Sequence, residues 1–365
     1  MKNSLSNKVL HFFEKYNLLS SENRLLIGFS GGVDSLCLLD ILIKLSKQYH
    51  FKVIAAHLNH NWRKDESKNE EIKARKFCQE RNIEFYTEIL PGNLPHTEIE
   101  ARNQRYGFFN KAATKLNATA ILTGHTLTDN VETILYRIIK GTGTVGLQGI
   151  PEKRLQKNYP PIYRPLLDIS REETIKYCKE NNLEPSYDSS NLDIKYLRNK
   201  IRLKLIPELK NYNNKIEKAI LKLSCLSEDA ETLINEYLKQ IKTEITTKNG
   251  EIITSKFLNL SSAAQRKIIV DFLLNNSLDY DFDRIERILS FIKANSRLKS
   301  GNTLSISQNC WIFVSFSIIK LIHFIKADVL KLSIPINPDG ETIIPEMGKK
   351  IIISQLPCPF FLKHS

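Results

Sequence analysis

The chain has 365 residues, 42% of them hydrophobic and 9% aromatic, with a formal net charge of +13. That length and composition supply two or three domains with real cores, and no apolar run approaches the length of a membrane span. The six cysteines form no C-x-x-C pair, so they read as reduced thiols of a cytosol-like compartment rather than a disulfide framework or zinc ligands. The basic excess is spread along the chain. A diffuse basic surface suits a polyanion such as folded RNA, although a Lys-rich composition from an AT-rich genome gives the same count.

Residues 1–19 read as an amphipathic helix whose apolar periodicity is broken by Glu14 and Lys15, not as a signal peptide. Leu25–Phe29 is a short apolar run of the buried parallel-strand type, and apolar residues recur at helical spacing from Leu36 to Leu45. Between them lies Ser30-Gly31-Gly32-Val33-Asp34-Ser35. Two glycines and two hydroxyls at a helix N-terminus suit a phosphate, because backbone N–H groups there lack partners and the helix dipole favours an anion. A tight turn with an N-cap would explain one of these polar residues, not Ser30, Asp34 and Ser35 together. Neither the Walker A spacing nor G-x-G-x-x-G is present. The string is similar to the pyrophosphate loop of the ATP-pyrophosphatase ("PP-loop") superfamily, whose members split ATP between its α and β phosphates. N–H groups and hydroxyls suit the departing pyrophosphate, and Asp34 suits Mg²⁺.

Further along, 52–58, 84–90 and 118–124 read as strands, and 65–82, 97–117 and 129–141 as helices, the last ended by Gly141. Such alternation, running to about residue 182, predicts an α/β fold with a parallel sheet and helices on both faces. Ligands then bind beyond the carboxyl ends of the strands, where Ser30–Ser35, 57–63 and 123–130 all fall. His57 and His60 have metal-ligand side chains, but Asn59 and Arg63 beside them favour a nucleotide or RNA contact. Asp129 and Glu132 share a helix face and suit Mg²⁺ or an amino group; an acidic first turn is the plainer account, above all for Glu132. Arg102 and Arg105 share another face, where surface salt bridges are the plain alternative. The Gly-rich stretch 141–149 reads as a flexible lid. Residues 196–202 open a basic helix that suits phosphate. Residues 211–245 and 261–298 read as helices of a separate domain, and strand patterns return from about 300. The expected domains are an α/β domain at 1–210, a helical domain at 211–300 and a small β-rich region at 301–365.

Taken in order, several strings resemble the tRNA(Ile)-lysidine synthetases. They are Ser-Gly-Gly-Val-Asp-Ser, His57-x-Asn59-His60-x-x-Arg63, Ala101-Arg102-x-x-Arg105-Tyr106, and Gly124-His125 with Asp129-Asn130-x-Glu132-Thr133. Arg164-Pro165-Leu166-Leu167 and Asp188-x-Ser190-Asn191 with Arg198-Asn199-x-x-Arg202 complete the set. The match is good over about 22–210 and weaker through the helical region. It implies a parallel-sheet ATP-pyrophosphatase domain of the adenine nucleotide α-hydrolase-like kind, followed by a helical domain and a short β-rich C-terminal region. It implies that ATP adenylates O2 of the wobble cytidine of tRNA(Ile) with a CAU anticodon. The ε-amine of L-lysine then attacks C2 and AMP leaves. ATP contacts are implied for Ser30, Gly31, Gly32, Val33, Asp34, Ser35, His57, Asn59, His60 and Gly124. Asp34, Arg105, His125, Asp129 and Arg198 are implied for catalysis, Asp34 with Mg²⁺, and Asp129 and Glu132 for the lysine amine. Arg63, Arg102, Arg198 and Arg202 are implied for tRNA. A second copy of the chain is a candidate partner, no membrane is, and the location is the cytoplasm or the stroma or matrix of an organelle with its own genome.

The family pattern Asp-Asp-Gln reads Thr128-Asp129-Asn130 here, so one acid of the pattern is lost at 128. The β-rich end is also shorter than in the longer members, where that domain is thought to grip the acceptor stem. Thiolases of the same superfamily need paired cysteines, and amidotransferase types need a glutaminase domain; neither pattern is present. The rival of another class is a non-catalytic tRNA-binding protein with a degenerate loop, against which the intact 30–35 string argues.

Overall fold

A computed structural model describes residues 5–59, 64–91, 97–186, 195–276, 278–323, 340–344 and 349–353. The chain forms two compact units, 1–234 and 235–365, with the boundary inside one long helix.

The first unit runs α1 (Leu5–Lys15), β1 (Arg24–Gly28), α2 (Val33–Tyr49), β2 (Lys52–Asn59), α3 (Lys64–Glu80), β3 (Glu84–Ile89), α4 (Glu98–Lys115), β4 (Ala120–Thr123) and α5 (Leu127–Lys140). It continues through α6 (Thr144–Leu147), β5 (Lys153–Arg154), β6 (Ile162–Tyr163), α7 (Arg171–Glu180) and α8 (Leu197–Lys200). A π-helical turn (Ile201–Leu205), α9 (Ile206–Tyr212) and α10 (Ile216–Ile245) follow. The sheet order is β3-β2-β1-β4-β6-β5. All its pairings are parallel except β5 with β6, so the expected parallel sheet is present with one antiparallel edge.

Alternation along β1 distributes its side chains to both faces. Leu25 and Ile27 join Val9, Phe13, Leu39, Cys78 and Tyr177 in one core, built by α1, α2, α3 and α7. Leu26 joins Ala56, Ile121, Phe108, Phe109 and Ala112 in another, under α4. Burying both faces makes β1 and β4, and most of β2, apolar, which is why they are legible as continuous runs, whereas the edge strand β3 is only half-buried. A third cluster joins Val131, Ile134 and Leu135 of α5 to Ile201, Ile206 and Ile220. This cluster keeps α9 and the start of α10 with the first unit, whereas the sequence reading divides the chain at 210.

Two expectations differ in detail. The stretch 141–149 is pinned rather than loose: Arg137 donates to the carbonyls of Gly146 and Gly149, at 2.9 and 2.8 Å. Ser224 donates to the Gln148 carbonyl, and Thr144 to Glu231. Helix α2 also begins three residues before Leu36, which puts Val33, Asp34 and Ser35 in its first turn.

In the second unit, β7 (Ile252–Ile253), α11 (Thr254–Leu258), α12 (Ser262–Asn275) and α13 (Phe282–Asn295) precede β8 (Asn302–Ser307), β9 (Cys310–Val314) and β10 (Ile318–His323). The helix read over 261–298 is two helices, because Asp281 caps a new one by accepting from the Arg284 N–H. The strands form an antiparallel sheet in the order β7-β10-β9-β8, and β11 (Gly340–Ile344) pairs with β12 (Lys349–Ile353). The β-rich character expected after 300 is present.

Candidate active site

The carboxyl edge of the sheet gathers the polar strings. At the end of β1, Gly31 takes φ +80°, a left-handed conformation that costs other residues energy, and its carbonyl accepts from the Ser186 N–H. Gly32 caps α2 with extended backbone and no side-chain hydrogen bond. The first N–H groups of a helix of 17 residues are therefore open to an anion. The Ser30 and Ser35 hydroxyls lie 3.1 Å apart, and Ser35 also donates to the Gly32 carbonyl. The loop is thus held in shape by its own side chains.

Asp34 projects from the first turn of α2. Its Oδ1 accepts from the Thr174 hydroxyl at 2.6 Å, and its Oδ2 lies 3.8 Å from Arg171. Burial pushes its carboxyl above the usual value, and the nearby charge of Asp129 adds to this, against the opposing effects of Thr174 and Arg171. Gly124 closes the site from β4. A Cβ there would lie 3.1 Å from the backbone of Asp34 and Ser35, so any larger residue would push the β4–α5 turn back from the loop by a few tenths of an ångström.

His125 follows, its Nδ1 2.8 Å from the Thr123 hydroxyl. Burial drives its pKa down to about 3; Asp129 opposes this, while Arg164, Arg105 and Arg102 reinforce it. The ring is neutral through the physiological range. Asp129 Oδ2 accepts from both the N–H and the hydroxyl of Thr126, at 2.9 Å each, in a capping box. Burial alone would raise its carboxyl; His125, Thr126 and Arg202 outweigh that and hold it low.

Glu132 is fully buried, and Arg202 grips it with two hydrogen bonds, Nε to Oε1 at 2.5 Å and Nη2 to Oε2 at 2.9 Å. Arg202 also lies 3.4 Å from Asp129. Arg198, one helical turn earlier, donates to the Thr133 hydroxyl at 3.2 Å. The basic segment 198–202 therefore docks on the acidic face of α5, and its π-helical turn aims Arg202 inward. Both oxygens expected for an incoming amine on Glu132 are occupied by Arg202, and the Arg202 charge expected for RNA faces these carboxylates.

His57 and Asn59 are buried at the end of β2. His57 Nδ1–H donates to the Phe29 carbonyl at 2.9 Å, leaving Nε2 as the acceptor, and burial lowers its pKa. Asn59 donates to Ser67 and Glu71 of α3. Arg102 and Arg105 are exposed on α4. His60, Arg63, Asp188, Ser190 and Asn191 lie outside the described residues. Three contributors were not singled out from sequence. Arg171 and Thr174 reach Asp34 from α7, and Thr123 orients His125. The capping box Ser170–Glu173 marks where α7 starts, but nothing local ties it to residue 34.

Comparison with known proteins follows the same lines. A family model described as a PP-loop domain matches residues 1–209. A tRNA(Ile)-lysidine synthase of Clostridium tetani is 35% identical over 79% of this chain and 63% of its own length. One from Nostoc is 30% identical over 82% of this chain and 93% of its own. The chain thus spans under two thirds of the clostridial relative and nearly all of the Nostoc one. Among solved structures, a U34-tRNA thiolase from Methanococcus maripaludis, with its [4Fe-4S] cluster, shares the fold. Its TM-score is 0.52 at 18% identity, covering 61% of this chain and 78% of that one. This chain belongs to the PP-loop family and, within it, to the family of the tRNA(Ile)-lysidine synthases.

Proposed function

We propose that this chain forms lysidine at the wobble cytidine of an isoleucine tRNA with a CAU anticodon, using ATP and L-lysine. The observation that carries this is the convergence of an uncapped helix N-terminus with Asp34, His125, Asp129 and Glu132 at one sheet edge, in a chain of this family. In the first step cytidine O2 attacks the α phosphorus and pyrophosphate departs, because a carbonyl oxygen leaves poorly until it is adenylated. In the second step the neutral ε-amine attacks C2, the C2–O2 bond breaks, AMP leaves, and the amine loses its extra proton to a base.

Within this reading the loop Ser30–Ser35, with Val33 in the first turn of α2, takes the pyrophosphate. Gly124, His57, Asn59 and His60 shape the ATP site. Asp34 and Asp129 repel one another, which fits a divalent cation between carboxylates and phosphates. Mg²⁺ would neutralise phosphate charge there. Arg105, Arg198 and an N–H of the neutral His125 steady charge developing on the α phosphate. Asp129 and Glu132 receive the amine, which requires Arg202 to release Glu132. Arg63, Arg102 and Arg198 contact the RNA, and Arg202 joins them once it releases Glu132.

The domain roles follow the sequence: catalysis in 1–210, tRNA binding in the helices of 211–300, and a small β-rich region from 301. Homodimerisation, and a location in the cytoplasm or an organelle with its own genome, belong to the same proposal. No helix among the described residues is long and apolar enough to cross a membrane.

The test uses ATP labelled at the α phosphate, with the tRNA and no lysine. Label transferred to the tRNA, and released as AMP when lysine is added, supports the two steps. Binding of tRNA without label transfer, or release of AMP that ignores lysine, removes the proposal.

A further inference from the structure

Of one cluster of charge beside this site, the scheme above uses only Arg102. On α4, Arg102 lies over the Tyr106 ring at 5.1 Å, and Arg154 of β5 lies over the same ring at 4.5 Å. Arg164, at the end of β6, donates to the Tyr106 hydroxyl at 3.4 Å and to the Pro151 carbonyl at 2.6 Å. Three guanidiniums thus surround one phenol, which Phe109 props edge-on from the core beneath. Among the described residues no carboxylate pairs with Arg102, Arg154 or Arg164.

Arg164 is 1% exposed, and its Nε has no hydrogen-bond partner. A buried guanidinium with no counter-ion leaves uncompensated positive charge beneath the exposed Arg102 and half-buried Arg154, which an anion bound by those two would offset. The neighbours register the same excess. Burial, and then the charges of Arg164 and Arg102, hold the Arg154 pKa below its usual value against the opposing Tyr106. Burial alone would raise the Tyr106 phenol, yet Arg164 and Arg102 hold it low.

We propose that Arg102 and Arg154, over the Tyr106 ring and backed by the buried charge of Arg164, form a seat for one backbone phosphate of the RNA beside the target nucleotide. Guanidinium forks match the two free oxygens of a phosphodiester, and two of them with a third charge beneath need no metal to do so. The place in the sheet selects RNA over the nucleotide. The pyrophosphate loop ends β1, His125 follows β4, and the seat is at β6 and β5, in the order β1-β4-β6-β5. At about 4.8 Å per strand, the end of β6 is about 10 Å from the end of β1, beyond the ATP phosphates that the loop holds. The charges of Arg164 and Arg102 are among those that lower the His125 pKa. The inference rests on the reading of the chain as an RNA-modifying enzyme and adds the register in which the RNA lies.

The test measures binding of an anticodon stem-loop with a CAU loop across a salt series, for the whole protein and for Arg154→Ala. Arg154 is half-buried, so its loss spares the fold; Tyr106→Phe and Arg164→Gln are added where circular dichroism shows them folded. Expected for Arg154→Ala is a rise in RNA Kd of about 3- to 10-fold, and a salt slope shallower by about 0.7–0.9, with KM for ATP unchanged. Alkylation of a single loop phosphate should weaken binding to the wild type and leave binding to Arg154→Ala unaltered. Unchanged affinity and slope overturn the seat. A raised KM for ATP with RNA binding intact assigns the cluster to the α phosphate and overturns its RNA role. If the wild type adds no lysine to tRNA but these binding differences persist, the seat stands and the lysidine reading falls.

Discussion

Replacing Asp34 by Asn separates stability from chemistry. Its carboxyl titrates above its ordinary value in the fold because burial and Asp129 disfavour the charge. Such a group stabilises the fold fully below its unfolded pKa, and that contribution is lost as pH rises through the folded value. At pH 7.5 the Asn variant should therefore melt higher than the wild type, while adenylation falls about 10²-fold or more. Calorimetry and label transfer read the two separately; a lower melting temperature would contradict the burial argument. His125 has the opposite sign. With a folded pKa of about 3, its contribution is intact above the unfolded value and is lost as pH falls from there towards 3. Between pH 7.5 and 5 the wild type should lose about 1–2 kcal/mol more than His125→Gln, measured by urea unfolding at each pH. Equal losses would mean that the ring is solvated. Ser30, Asp34 and His125 were legible because each sits in a short string whose composition states its surroundings. The pairing of Glu132 with Arg202 was not, since their partnership spans 70 residues and appears only when 198–202 docks on α5.

That docking sets the behaviour of whole elements. Glu132 is fully buried and Arg202 is 20% exposed, so removing Arg202 strands the Glu132 charge. Arg202→Met should cost about 3–5 kcal/mol, and the double variant with Glu132→Gln should recover much of it. A double-mutant cycle by denaturant unfolding checks this; additive losses would show that the pair is not coupled. The β4–α5 turn offers a second test. Ala at 124 places its Cβ against the backbone of Asp34 and Ser35, which cannot yield as a side chain can. Gly124→Ala should raise KM for ATP several-fold with little change in tRNA affinity, and an unchanged KM would show that the turn tolerates the methyl. The strands and helices of the α/β part were readable because buried parallel strands are apolar on both faces. The break between α12 and α13 was missed because the apolar period resumes after it, and only the Asp281 cap marks a new start.

Over the whole molecule, the charge of +13 gives an expectation about salt. If the basic surface meets RNA phosphates at about six to eight points, affinity should fall about 10³-fold or more between 50 and 200 mM salt. A flat dependence would assign the charge to composition alone. The division inside α10 was not legible, because that helix has one unbroken period and the boundary depends on which cores its two halves join. The measurement that tests the central claim most directly is mass spectrometry of tRNA after incubation with the protein, ATP, Mg²⁺ and lysine. The account predicts lysine added at the wobble cytidine of a CAU isoleucine tRNA, and none on methionine tRNA with the same anticodon. An unmodified cytidine under conditions where ATP and tRNA both bind would contradict it.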